Sequence, residues 1–331
     1  ELSPSLVLHL GSRAFPEVGG EVVRVTASLF QKADPGNSLT MFISATEGRT
    51  TEEKALNFHA PRLRYTHRLD WFDTFPGGVF TPYAASENAH EAFATAPSMS
   101  SIAEVRTGLQ TGDNSRFLRQ WYEVSASRMQ NSDAPGAARW VPYVKSSVPT
   151  RWFAREDLVV DWLNDGAEIR AHPSSVVRNA TYYFQSGLSY GGLAGSLKAR
   201  LVTQGAIFDQ KNSMIFPILP VTTGQLLCLV NSAVFEKLAR LVSPKGFGVG
   251  TLGQLPIPTS TLASPRIEEI ASRSVELTTK IFDRSETSRG FAGLVSLLLG
   301  NRVLSKVRSS VETTIMLERQ IHEELRRLQL E

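Results

Sequence analysis

At 331 residues, with 42% apolar and 20% charged residues, the chain is long enough for two domains of ordinary size, each with its own core. Its formal net charge of +3 identifies no partner, but the distribution is uneven: residues 1–101 carry 8 basic against 11 acidic side chains, and residues 102–331 carry 27 against 21. No apolar run approaches the ~20 residues that cross a bilayer, no leader-like stretch opens the chain at Glu1-Leu2-Ser3-Pro4, and the single Cys228 excludes an internal disulfide. These features predict a cytoplasmic protein with no membrane partner. The lack of an initiator Met predicts a segment of a longer protein.

In chain order, Gly20 to Phe30 alternates, with Val23, Val25, Ala27 and Leu29 on one face. Asp34-Pro35-Gly36-Asn37 supplies a turn and Leu39 to Ser44 resumes the extended pattern, which predicts a hairpin. Residues 61–101, rich in Pro, aromatic and small residues, predict an irregular connector. From 102 to 258 short β-like runs alternate with Gly-rich turns. They are interrupted by a helix over Gln225 to Leu241, where Leu227, Val230, Val234, Leu238 and Leu241 recur at steps of three and four. Ser264-Pro265 predicts an N-cap with Pro at the first helical position. A last helix over Arg302 to Gln329 sets Leu304, Val307, Val311, Ile315, Ile321, Leu325 and Leu328 along one stripe, suited to a bundle or a coiled-coil arm.

Signals of an enzyme are weak. Gly248-Val249-Gly250-Thr251-Leu252-Gly253 matches the spacing of a dinucleotide loop, but such a loop must open a helix, and Pro256 and Pro258 follow at once. A glycine turn is the better expectation. Asp34 with Glu52 and Lys54 loosely resembles a metal-dependent nuclease site, although the polar Glu47-Gly48-Arg49-Thr50-Thr51 before them favours a solvated charge run. The six histidines, His9, His59, His67, His90, His172 and His322, lack metal-ligand spacing, and Cys228 sits on an apolar helix as a core thiol. Neither a nucleophile elbow nor a phosphate loop is present. Amino-directed DNA methylation needs an Asn/Asp-Pro-Pro-Tyr/Phe loop to hold a flipped base. That loop and the glycine-rich strand-turn for S-adenosylmethionine are both absent from the sequence.

Polar and aromatic segments remain. Gly108-Leu109-Gln110-Thr111-Gly112-Asp113-Asn114 leads into Arg116, Arg119 and Trp121. Trp140-Val141-Pro142-Tyr143-Val144-Lys145 precedes Arg151-Trp152 and Asp161-Trp162, Arg178-Asn179 precedes Tyr182-Tyr183-Phe184, and Ser189-Tyr190 leads toward Lys198 and Arg200. Arg, Asn and Gln pair with base edges, while Lys and backbone amides hold phosphates. Most of Trp140, Trp152, Trp162 and Tyr182 are better read as core aromatics of a β-rich domain. Gln110, Thr111, Asn114, Ser189 and Lys198 are harder to explain as core.

In this order the segments resemble the recognition region of BREX-type (PglX-like) adenine-specific DNA methyltransferases and of related fused type II restriction–methylation enzymes. The same resemblance extends to Gly205-Ala206-Ile207-Phe208-Asp209, Ile215-Phe216-Pro217, Leu226-Leu227-x-Leu229-x-Asn231-Ser232 and Leu255-Pro256-Ile257-Pro258. More weakly, Gly11 to Phe15 with Gly20 to Val23 is similar to the closing strands of that family's catalytic domain, and Asp283-x-x-Glu286-Thr287-Ser288 with Phe291 to its later helical segment. The resemblance implies an α+β chain: closing strands of a methyltransferase sheet (1–60), a connector (61–101), a mixed α/β target-recognition domain (102–260) and a helical spacer or clamp (261–331). It implies sequence-specific recognition of double-stranded DNA in phage defence or restriction–modification. S-adenosylmethionine and the catalytic motifs would belong to the intact enzyme's N-terminal domain, and this chain would hold no cofactor or metal. The expected DNA contacts are Gln110, Thr111, Asn114, Arg116, Arg119, Lys145, Arg151, Arg178, Ser189, Tyr190, Lys198 and Arg200. Besides DNA and the catalytic domain, other defence proteins are expected partners. The alternative is an interaction scaffold or a separate specificity subunit of a defence complex.

Overall fold

The computed structural model describes residues 2–15, 23–32, 38–130, 138–145, 150–192, 195–257, 262, 264–283 and 288–290, with a few positions between 316 and 324. It is a mixed α/β chain that divides into two compact units, Glu1–Ala96 and Pro97–Glu331.

In the first unit β1 (Leu2–Ser12) takes a central place, because Val7 is buried and Leu6 and Leu8 are half-buried. β2 (Arg24–Lys32) pairs with it antiparallel and β3 (Leu39–Ser44) pairs with it parallel on the other side, so that Leu6 faces both Leu29 and Met41. The predicted hairpin of β2 with β3 therefore does not form. β2, exposed along nearly its whole length, stays at the edge, and its Pro-Gly turn lies outside the described residues. α1 (Thr51–His59) is capped by Thr50, whose hydroxyl accepts from the Glu53 amide. On α1, Lys54 departs from the expected solvated charge run. It is 4% exposed, and its ammonium donates to the carbonyls of Leu10 at 2.6 Å and Ala45 at 3.2 Å.

The expected connector is folded as well. β4 (Arg64–Arg68) closes the sheet in the order β2-β1-β3-β4, and α2 (Glu87–Thr95) follows, capped by Ser86. Between them short 3-10 turns pack Phe72 and Tyr83 against Phe42, and Phe75 against Trp71 and Phe93. The Trp71 ring stacks on His67 at 3.9 Å and on His90 at 4.7 Å. The aromatic richness that suggested irregularity is a ring-packed core, held by turns rather than by periodic elements.

The second unit is built on two mixed sheets. One runs β5 (Ala103–Arg106), β13 (Met214–Pro217), β10 (Gly187–Tyr190), β11 (Ala199–Val202), β8 (Trp152–Phe153); the other runs β12 (Ile207–Phe208), β7 (Trp140–Val144), β9 (Leu158–Asp161), β6 (Leu118–Gln120). Val141, Tyr143, Val160, Trp162, Tyr183, Val202, Phe208, Met214 and Phe216 meet in one core cluster. α3 (Asn114–Phe117) and α4 (Leu163–Ala171) flank it, and α4 opens on three left-handed residues, Asn164, Asp165 and Gly166. The helix predicted over Gln225 to Leu241 is two: α5 (Thr223–Asn231) and α6 (Ala233–Val242). Ser232 breaks it by leaving helical geometry to cap α6 through the Phe235 amide. Asn231 is freed to bracket β11, accepting from the Ala199 amide and donating to its carbonyl, both at 2.9 Å. Gly248–Gly253, expected as a turn, forms α7 (Val249–Gly253). α8 (Pro265–Phe282) starts with Pro at its first turn, as predicted from Ser264-Pro265. The terminal helix predicted over Arg302 to Gln329, and most of the segment from Asp283 to Phe291, lie outside the described residues. No helix among the described residues is long and apolar enough to cross a membrane.

Candidate nucleic-acid interface

Segments far apart in sequence meet at the loop from Thr107 to Arg119. Gly108 is required where the loop meets β12: a Cβ there would lie 1.9 Å from the Phe208 carbonyl oxygen, which accepts from the Leu109 amide at 2.8 Å. Gly112 has φ +73°, and a Cβ there would lie 2.6 Å from the Ser174 backbone. This close approach lets Gln110 exchange backbone hydrogen bonds with Val176 and donate from its side chain to the Ser174 carbonyl at 3.1 Å. The Ser175 hydroxyl donates to the Thr111 carbonyl. Asp113 then caps α3, accepting from the Ser115 hydroxyl at 2.6 Å and the Arg116 amide at 3.0 Å, and these bonds hold its carboxyl below the usual carboxylate range.

Beneath the loop lies Asp209, 3% exposed. Its carboxylate accepts from the Tyr143 hydroxyl at 3.0 Å, the Lys145 ammonium at 3.1 Å and the Lys211 amide at 2.8 Å. Burial, and then the Asp209 charge, push the Tyr143 phenol far up, so it stays a neutral donor, shared with the Leu109 carbonyl at 3.0 Å. Lys145 also donates to the side-chain oxygen Oδ1 of Asn114 at 3.3 Å, to which the Thr111 hydroxyl donates at 2.6 Å. Asp209 thus ties together the segments beginning at Gly108, Trp140 and Gly205. Its place as a hub was not among the expected site residues, because only the pairing of β12 with β7 brings it under the loop.

The expected contacts separate into an exposed and a buried set. Asn114 and Arg116 are exposed, and Gln110, Arg119, Lys145 and Arg178 are half-buried around the same loop or its supports. Arg116 pairs with Glu168 at 3.0 Å, Arg119 donates to the Ser115 and Leu118 carbonyls, and Arg178 reaches Gln210 at 3.4 Å. Thr111 is 3% exposed and supports the loop from within. Ser189, Tyr190 and Arg200 lie in the β10–β11 pair and are 1%, 2% and 4% exposed, so their side chains offer no surface to a groove. Arg200 is instead a core cation, paired with both Glu156 oxygens at 2.6 and 2.9 Å. Lys198 is half-buried just before β11, and Arg151, also half-buried, has its Nε buried without a partner. No contact joins either of them to the Thr107–Arg119 loop among the described residues.

The chain's described residues form no metal-ligating cluster. The glycine run at 248–253 does not fit S-adenosylmethionine, because it forms a five-residue helix that leads straight into the bridge of Pro256 with Ser98. The Cys228 thiol is half-buried and pushed up to about 11 by burial and then by Glu268.

The second unit is thus a mixed α/β fold whose polar loop is braced by the buried carboxylate of Asp209. Comparison with known proteins places the chain more closely. It is 26% identical over 312 residues to the adenine-specific methyltransferase PglX of Lacticaseibacillus casei (strain Zhang), covering 88% of this chain and 26% of that protein. It is 26% identical over 289 residues to the adenine-specific methyltransferase BrxX of Escherichia coli O9:H4 (strain HS), covering 86% of this chain and 23% of that protein. The chain is thus related to the BREX-type adenine-specific methyltransferases and spans about a quarter of the length of the curated relatives it matches. No family model matches it. Among solved structures, the type IIG restriction endonuclease BpuSI is similar at a TM-score of 0.35 and 10% identity, covering 98% of this chain and 44% of that one.

Proposed function

We propose that this chain docks on double-stranded DNA as the target-recognition part of an S-adenosylmethionine-dependent N6-adenine methyltransferase, with the Thr107–Arg119 loop as its reading edge. Methyl transfer would belong to a catalytic domain elsewhere in the parent enzyme, since the base-holding loop is missing from this sequence. The observation that carries the reading is the build of the loop. Gln110, Asn114, Arg116 and Arg119 stand on a backbone fixed by Gly108, Gly112 and the Asp209 network. A fixed backbone under amide and guanidinium groups, with Asn114 and Arg116 exposed and Gln110 and Arg119 half-buried, is what base-edge readout needs. The arrangement also supplies cations for phosphates, because Arg119 and Arg178 are held by neutral acceptors rather than carboxylates.

Fluorescence anisotropy on duplex DNA across a salt series tests this. Affinity should fall linearly on logarithmic axes, and Arg119→Ala or Arg178→Ala should each shallow the slope by about one. Arg116→Ala should change which duplexes are preferred. Absence of binding at about 50 mM salt, with the chain shown to be folded, defeats the proposal.

A further inference from the structure

The second unit holds a further cleft, of about 460 Å³, lined by none of the loop residues above. Gln130, Arg155, Glu156, Thr203, Gln204 and Arg289 supply its polar wall. Two of its charges are already balanced. Glu156 takes both guanidinium nitrogens of Arg200, and Arg155 donates to both oxygens of Asp283 at 2.8 Å. Arg289 is different: among the described residues no carboxylate or other acceptor meets it. Although it is exposed as a residue, its guanidinium is partly desolvated and lies in the field of Arg155, and both effects lower its pKa. Among the described residues Asp283 balances Arg155 and no carboxylate meets Arg289, so one positive charge is left over, which an anion would balance.

The backbone holds Arg289 in place. Gly290 packs against the Arg155–Asp283 pair so closely that a Cβ would lie 2.0 Å from Asp283 Oδ1 and 2.7 Å from Arg155 Nη2. Its amide donates to the Ser288 hydroxyl at 3.2 Å, and Ser288 is 4% exposed. The remaining wall is neutral and rich in donors: Gln130, 7% exposed, with the Thr203 hydroxyl and the Gln204 amide. A planar guanidinium fork beside amide and hydroxyl donors matches the oxygens of a phosphate group.

We propose that this cleft is a phosphate-binding site, with Arg289 as its charged anchor and Gln130, Thr203 and Gln204 as neutral donors. The site does not depend on the DNA reading of the Thr107–Arg119 loop. Its phosphate has two possible sources, a phosphodiester of a nucleic-acid strand or the phosphate of a free nucleotide, which the cleft is large enough to admit.

Titration calorimetry of the whole chain with pyrophosphate tests it, followed by competition with AMP and with a short duplex. Saturable binding is expected, weakened at least about tenfold by Arg289→Gln and unchanged by Arg116→Ala. Displacement by AMP alone assigns the site to free nucleotides, and displacement by duplex assigns it to the strand. Should Arg289→Gln fail to fold by circular dichroism, Gln204→Glu, which adds a carboxylate to the wall of the same cleft, should abolish binding instead. No saturable heat up to about 10 mM pyrophosphate, or equal loss in the Arg116 and Arg289 variants, overturns the proposal.

Discussion

Asp209 joins the core to the loop through a carboxylate 3% exposed, with a phenol, an ammonium and an amide as its donors. Removing it leaves the Tyr143 hydroxyl and the Lys145 ammonium with one acceptor fewer. Asp209→Ala should therefore destabilise the second unit by about 3 kcal/mol. Asp209→Asn keeps an oxygen for Tyr143 but loses the charge that holds Lys145, and should cost about 1–2 kcal/mol. Urea unfolding with an unchanged slope and a lowered midpoint is the readout; an Asp209→Asn midpoint equal to that of the wild type would show that the charge contributes nothing, and one equal to that of Asp209→Ala that the retained oxygen contributes nothing. A second residue sets a pH dependence in the first unit. His9 accepts from or donates to the Tyr83 hydroxyl at 3.0 Å, and its pKa is lowered by burial first, then by Arg24 and Lys54. Because the folded value lies below the ordinary 6.5, the unfolded chain takes up the proton first as pH falls. The stability that neutral His9 confers is thus present above pH 6.5 and lost as pH falls through the folded pKa. Hydrogen-exchange protection in Glu1–Ala96, corrected for the intrinsic exchange rate at each pH, should fall with acidification in the wild type, and less steeply in His9→Gln.

At the scale of elements, the Thr107–Arg119 loop owes its shape to two glycines that fail in different ways when a side chain is added. Gly108→Ala drives a Cβ into the Phe208 carbonyl and must break the contact with β12, a loss of about 2 kcal/mol. Gly112→Ala must hold an L-residue at φ +73° against the Ser174 backbone, with a loss of about 1–2 kcal/mol. Gly250→Ala, on α7 with no atom within 4 Å of the new Cβ, should be neutral or stabilising within about 1 kcal/mol. Thermal midpoints of the three variants check this order, and a Gly108→Ala chain as stable as the parent would sink the account of the loop. These contrasts also show how much was legible beforehand. The Gly108–Asn114 loop stood out as polar residues without core periodicity, and the start of α8 followed from Ser264-Pro265. What could not be seen depends on partners distant in sequence. β2 and β3 look like a hairpin until β1 inserts between them. Ser189 and Arg200 look like surface polar residues until β8, β10 and β11 bury them. The break at Ser232 was hidden because the apolar spacing continues across it, although Ser is itself a strong N-cap.

For the whole molecule, the division at Ala96 and Pro97 separates charge as well as structure. Glu1–Ala96 carries 8 basic and 11 acidic residues, and Pro97–Glu331 carries 27 and 21. Phosphate contacts need local cations, and screening removes the pull of charges more than about 10 Å away at ordinary salt. The first unit's net negative charge can therefore contribute little attraction to a duplex. The start of the second unit is held internally: the Met99 amide donates to the Leu255 carbonyl at 2.8 Å, and the Ile257 amide donates to the Pro97 carbonyl at 2.9 Å. A cut before Pro97 thus leaves the Leu255-Pro256-Ile257 clamp intact, and residues 97–331 should fold alone. If the recognition reading is right, that fragment keeps the DNA affinity of the full chain and the same dependence on salt, while residues 1–96 bind no duplex. The comparison needs only anisotropy on the two fragments and the parent, after circular dichroism shows each folded. Retention of binding by residues 1–96, or a folded 97–331 fragment that has lost it, would move the contact surface off the Thr107–Arg119 loop.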